Sequence, residues 1–251
     1  MAFRFVLLAT IIVIPQSLSV RGLDAGQLAP AVLWTAVPEL VLAFFAAHLL
    51  NKGVDSRLVM GMGFAAIGAA CVMNAQYTGV WSAENYFRSE LLMAVGQSLA
   101  FVGLVATIIL QAFTSGGLQS PFRTLTFSAF FHTVRLFGGQ VGVAVMIRFI
   151  AEREKLHSHL LGLHVQVGDW VTEHLLRSVT AGLTAKSSGV AADRAAAIVD
   201  GKIRLEAYTL TFIDAFHLIV WVCVGTLVVI ALLRRSAIGY GAFAPRSRAS
   251  A

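Results

Sequence analysis

The stretch Leu210–Leu233, LTFIDAFHLIVWVCVGTLVVIALL, decides the class of this protein. It holds one acid, Asp214, near its start and runs directly into Arg234-Arg235. An α-helix rises about 1.5 Å per residue, so the stretch is long enough to cross the ~30 Å of hydrocarbon in a bilayer. A helix on the surface of a soluble domain needs only an apolar stripe, whereas this one is apolar all round. Five further runs of the same kind lie upstream, at Phe3–Ser19, Leu28–Leu50, Leu58–Asn74, Ser89–Phe113 and Thr124–Ile147. Together they predict an all-α, polytopic membrane protein of six transmembrane helices.

The rest of the chain agrees. Hydrophobic residues make up 57% and charged residues 13%, with a mean hydropathy of +0.78, where a soluble domain carries about 25% charged residues. The charges cluster between the apolar runs, as they do when most of each run lies in lipid. A net charge of +6 and a pI of about 9.8 do not make a nucleic-acid footprint, because no basic stripe interleaved with aromatics is present. Cys71 and Cys223 fall inside apolar runs and read as small core residues.

Orientation follows from Lys and Arg in the short loops. Lys52 and Arg57 flank the second turn, Arg123 precedes the fifth run, and Arg234, Arg235, Arg246 and Arg248 follow the sixth. All fall on one side if both termini are cytoplasmic, leaving Arg21 and Arg88 in the short loops opposite. The expectation is a multi-pass protein of the cell (inner) membrane. Residues 1–19, with Arg4 and Ser17-Leu18-Ser19, also fit a signal peptide. Pro15-Gln16 extends the run without a clear cleavage context, so a first membrane helix is expected, and the other five keep their topology in either case.

Residues 1–235 are expected to form the bundle and 236–251 a disordered cytoplasmic tail. Within the bundle, 151–209 reads as a long extracytoplasmic loop. Its apolar residues recur at helical spacing (Leu156, Leu160, Leu163, then Val171, Leu175, Val179), which predicts short amphipathic helices with a break at Lys186-Ser187-Ser188-Gly189.

Ionisable groups at membrane depth are functional candidates by default. Glu39 follows Pro38 in the second run, His132 and Arg135 share a face of the fifth, and Asp214 and His217 share a face of the sixth. At the helical rise, Glu39 lies about 16 Å from the outer boundary and Arg135 about 16 Å from the inner one, whereas Asp214 is only about 6 Å deep. A direct Arg135–Asp214 salt bridge is therefore not expected. Glu39 and Arg135 match in height, but whether their helices touch is left open. Glu39 reads equally as a proton carrier or a structural hydrogen-bonding group, and Arg135 as a functional cation or an internal tether. Gly138, Gly139 and Gly142 form a small-residue stripe beside Arg135 that lets another backbone approach. Gly61, Gly63, Ala65, Gly68 and Ala69 give the third run the same character.

His157, His159, His164 and His174 lack an accompanying cysteine, and His157 and His159 cannot share one helix face, so they read as solvated surface and no metal site is expected. No Ser-His-Asp set, phosphate loop or paired-cysteine motif is present. Neither an enzyme nor a cofactor is expected.

Arg135-Leu136-Phe137-Gly138-Gly139-Gln140-Val141-Gly142-Val143-Ala144 resembles the Arg-x-x-Gly-Gly-x-x-Gly-x-Ala stretch in late helices of the 14-helix drug:proton antiporters, the EmrB/QacA type of the major facilitator superfamily. Asp55-x-Arg57 resembles the degenerate cytoplasmic loop motif of that family's second half, and Ile14-Pro15-Gln16 its opening helix. Ala207-Tyr208 with Ile213-Asp214-Ala215-Phe216, after a long outer loop, resembles the start of the last helix. The resemblance covers nearly the whole chain but only the C-terminal six-helix half of the family. The first-half loop motif, the antiporter helix motif and the coupling acids of that half have no counterpart. It implies a bundle of two inverted helix triplets, and Glu39 and Arg135 are each the twelfth residue of their predicted helix, the middle one of each triplet. It further implies that the first and fourth helices line a substrate path, placing Gln16, Ser17, Gln97, Ser98, Thr107 and Gln111 near it. The second and fifth helices would meet the other half.

The resulting expectation is the C-terminal half of a proton-coupled efflux transporter exporting small organic or drug-like molecules. It would be incomplete alone and would partner an N-terminal half or a second copy. A non-transporting membrane interaction protein or transporter remnant is the alternative.

Overall fold

The computed structural model describes residues 1–114, 121–163, 170–184 and 191–232. These form α1 (Ala2–Ser19), α2 (Ala25–Asn51), α3 (Ser56–Asn74), α4 (Phe87–Thr114), α5 (Pro121–Gly162), α6 (Trp170–Thr184) and α7 (Ala191–Leu232). A 3-10 turn, Ala83–Tyr86, leads into α4. Among the described residues there is no strand, and six helical stretches are long and apolar enough to cross a membrane. The protein is an all-α polytopic membrane bundle.

Local chemistry sets the helix starts. Asp24 and Gln27 form a reciprocal capping box at α2, satisfying two backbone donors that the first turn leaves open. Asp55 accepts from the Arg57 backbone N–H at the start of α3, with the Arg57 Nε 3.8 Å from its other oxygen. The Asp55-x-Arg57 motif is therefore a helix cap here. The turns before α2 and α3 contain Gly22 and Gly53 at φ +82° and +86°, where a Cβ would strain the backbone.

Lipid provides no hydrophobic drive between helices, so close backbone packing must hold them together. The tightest seam joins α3 and α4. A Cβ on Gly63 would lie 2.7 Å from Ala100 Cα, one on Gly96 2.8 Å from the Ile67 nitrogen, and one on Gly103 2.8 Å from the Met60 nitrogen. One set of numbers rises as the other falls, so the two helices are antiparallel. On its other flank α3 meets α7, with Gly68 against Cys223 and Gly61 against Ile230. α1 packs along α5 in parallel, Gly138 against Met1 and Gly142 against Phe5. Thus α4 packs with α2 and α3, α1 packs with α5 and α7, and the α3–α7 contact joins the two groups. Phe64, Ile67, Phe212, Phe216 and Ile219 fill the core between them.

The segment between the last two spans holds the expected short helix, α6, over Val171, Leu175 and Val179, but its flanks are continuous with the membrane helices. α5 continues to Gly162 and α7 begins at Ala191, so both helices run on well beyond the membrane stretches Thr124–Ile147 and Leu210–Leu233. At 42 residues, each is about 63 Å long. The polar extensions hold helical form through i,i+4 ion pairs, Arg148–Glu152 at 2.9 Å and Arg204–Asp200 at 3.2 Å, which support a solvated helix. Between them, α6 packs against α7. Leu156, Leu160 and Leu163 stay exposed. The predicted break at 186–189 and the tail 236–251 lie outside the described residues.

Candidate functional site

α1 and α2 touch only lightly, and α4 closes the gap between them from behind. The result is a cleft of about 260 Å³. Its walls are mostly Leu, Ile, Val, Ala and Met side chains, and its polar groups are Thr10, Thr35, Glu39, Glu90 and Gln97. Helical spacing explains the set. Thr35 and Glu39 are one turn apart on α2, and Glu90, Met93 and Gln97 follow one face of α4. Pro15 of α1 also borders the cleft.

Glu90 is the most enclosed of the charged groups, at 4% exposure. The Thr35 hydroxyl donates to its Oε2. Its Oε1 is buried and makes no hydrogen bond of good geometry, and the adjacent Asn74 amide is the side chain within reach of the carboxyl. A buried carboxyl whose hydrogen bonding is incomplete, at the edge of a cleft, can take up a proton or accept from a ligand's donor. Glu39 is half-buried one turn further along, and Ser98 Oγ donates to its backbone carbonyl at 3.0 Å. Two carboxyls on an otherwise apolar surface can bind a small organic molecule with a hydrogen-bond donor, or exchange protons with it.

The other predicted residues are spread over the bundle. Gln97 is buried in the cleft wall and Ser98 behind it. Gln16 is half-buried on α1, and Gln111 is exposed on α4. Thr107 donates to Ser56 Oγ and to the Gly103 carbonyl at 2.8 Å each, within the α3–α4 seam. Ser17 belongs to a polar and aromatic cluster at the opposite end of the bundle from Lys52. Its hydroxyl is 3.0 Å from Tyr86 Oη, and Tyr77 Oη donates to its carbonyl at 3.1 Å. Arg21 stacks 4.4 Å over the Tyr77 ring and donates to Thr209 at 3.2 Å, tying the end of α1 to α7. Burial pushes the Tyr77 phenol above its ordinary value, with the Arg21 charge and the Arg21 and Ser17 hydrogen bonds pulling the other way.

Asp214 meets groups that its own helix does not supply. His157 Nε2 lies 2.9 Å and Arg153 Nη1 3.6 Å from its Oδ2, both from the extension of α5. His157 is therefore an ion-pair partner at the α5–α7 seam, which corrects its reading as solvated surface. His217 is exposed and does not join the pair. His132 and His159 are exposed, His174 stacks on Trp170 at a centroid distance of 5.5 Å, and His164 lies outside the described residues. Among the described residues no group of three potential metal ligands occurs. Gly138, Gly139 and Gly142 are buried against α1. Arg135 is half-buried beside Arg4, near enough for the two guanidiniums to repel.

Sequence reasoning missed Glu90. It stands second in the predicted run Ser89–Phe113, where an acid reads as a surface residue of the first turn. The helical run begins instead at Ala83, about 10 Å earlier along the axis. The available signal was Ser82-Ala83-Glu84-Asn85, whose Ser82 and Asn85 form a capping box.

Comparison with protein-family models, with curated proteins and with solved structures gives no match to this chain. Fold and cleft together define the class, a multi-pass α-helical membrane protein.

Proposed function

We propose that this chain is one six-helix bundle of a proton-coupled exporter of small organic molecules, of the major facilitator kind, working in the cell membrane with both termini cytoplasmic. The observation that carries this reading is the apolar cleft between α1, α2 and α4, where Glu90 is buried against Thr35 and Asn74 and Glu39 lies nearby. Carboxyls facing a cavity at membrane depth serve proton relays and substrate paths. Glu90 is the proton carrier, Thr35 holds it in place, and Glu39 and Gln97 meet the substrate.

The packing supports the two-triplet reading. α1 crosses to the helices of the second triplet and α4 crosses to those of the first, an exchange that inverted repeats produce. Alternating access then needs a second bundle facing the cleft.

The test is extrusion of a lipophilic dye from vesicles under an imposed pH gradient. Vesicles holding one bundle should be inert. Those holding two, either two copies or one copy with a coexpressed first-half bundle, should extrude. Glu90→Gln should lower the active rate about a hundredfold or more, in the range typical of losing a proton-transfer group, and Glu39→Gln should lower it by weakening substrate contact. Full gradient-driven extrusion by both variants would remove these carboxyls from the mechanism.

A further inference from the structure

Arg4 and Arg135 form an unresolved charge problem. Gly138 packs on Met1 and Gly142 on Phe5, so Arg4 lies on the same α1–α5 seam as Arg135, about 9 Å further along the axis by helical rise and within reach of its charge. Both side chains are half-buried, and among the described residues neither has an ion pair or hydrogen bond with an acid. Two adjacent guanidiniums at membrane depth call for a carboxylate from outside the bundle. α5 also exposes His132, Thr133 and Gln140 beside them, polar groups unsuited to lipid.

The same molecule carries the complementary charge. Among the described residues Glu39 has no ion-pair partner, and it sits on α2, whose span is almost entirely exposed. Heights agree. Ser98 bonds the Glu39 carbonyl, and the neighbouring turns of α4 meet Gly63 and Ile67 of α3. Arg135 lies one turn before Gly138, which shares a hollow with Val222 of α7, and the next residue, Cys223, meets Gly68 of α3. Acid and base therefore stand level with the middle of α3. They do not meet within one chain, because α1 lies between α5 and α2 and touches both.

We propose that two copies of this chain pair about a two-fold axis along the membrane normal, each setting Glu39 of α2 against Arg135 and Arg4 of the other. The rotation brings each α5 onto the other α2, places α1 opposite α1, and makes the pairing self-complementary, as a two-fold interface requires. It also encloses the Glu39–Glu90 cleft between the copies. This rests on the two-bundle reading above and commits the second bundle to a copy of this chain.

The experiment mixes two differently tagged full-length chains, one Leu40→Cys and one Leu136→Cys, in native membranes under mild oxidation. Both positions are exposed, at 70% and 66%, and each adjoins its charged residue. A disulfide-linked heterodimer is expected. Glu39→Arg should lower its yield about tenfold, the effect of 1.4 kcal/mol, and Arg135→Glu in the same chains should restore it. Absence of the 40–136 link from membranes holding normal amounts of both chains overturns the proposal, as does a yield indifferent to Glu39→Arg. If the link is absent while a coexpressed first-half bundle still supports dye extrusion, the copy pairing is wrong and the transporter reading stands. If the link forms but neither the paired copies nor one copy with a coexpressed first-half bundle extrudes dye under the pH gradient, the pairing stands and the transporter reading falls.

Discussion

At the scale of single residues, burial and partners sort the polar groups more sharply than depth does. Ser17, expected along a substrate path, sits fully buried in the Tyr77–Tyr86 cluster. Tyr86→Phe leaves that serine its bond to the Ile14 carbonyl and removes one buried hydrogen bond, so we expect a loss of about 1 kcal/mol, read from reversible unfolding in mixed detergent micelles. An unchanged midpoint would show that the Tyr86 hydroxyl contributes nothing to the cluster. Asp214→Asn should have a smaller effect, because its partners are partly solvated and such pairs contribute about 0–1 kcal/mol. Glu39 was legible as an acid inside an apolar run, and Gln97 only through the family resemblance. Glu90 was not, because its meaning depended on where the helix begins, and a 3-10 turn moved that point upstream.

At the scale of elements, the glycines divide by what they face. Gly63 touches the α4 backbone, whereas Gly225 on α7 has nothing within 4 Å. Gly63→Val should therefore destabilise the bundle by about 1–3 kcal/mol through overpacking, while Gly225→Ala should be neutral or raise stability by up to ~1 kcal/mol through helix propensity. Thermal unfolding of the two purified variants in one detergent compares them directly, and equal behaviour would contradict the α3–α4 seam. The small-residue character of the third run was readable from its sequence. Its partners Gly96 and Gly103 were not singled out, since a glycine in an apolar helix looks the same whether it meets lipid or backbone. In the 151–209 segment the apolar spacing points to helices but not to their continuity with the membrane spans, because charged residues interrupt it. Ala195, Val199 and Ala207 are buried on the α7 extension, against which α6 packs.

At the scale of the whole molecule, the order of spans and the charge bias together make a testable topology. Lys52 lies at the α2–α3 turn and Val80, exposed at 90%, in the connection before α4. Lys52→Cys should react with an impermeant thiol reagent only from the cytoplasmic side and Val80→Cys only from the outside. Labelling of both from one face would contradict six crossings. The open face of α1, α2 and α5 is the other feature of this scale, and its charges give the bundle a reason to associate.

Sequence alone determined that the chain lives in a bilayer, because runs apolar on every side have no other stable solvent. It also marked which helices carry unusual charge, since such letters are rare at that depth. Tertiary structure decided which of those charges matter to one another. His157 with Asp214, Thr35 with Glu90 and Arg4 with Arg135 each join two helices distant in sequence, and the last pair lies on the glycine seam of α1 and α5. Helix adjacency in lipid follows from close backbone fit across distant segments, and local hydropathy does not encode that fit.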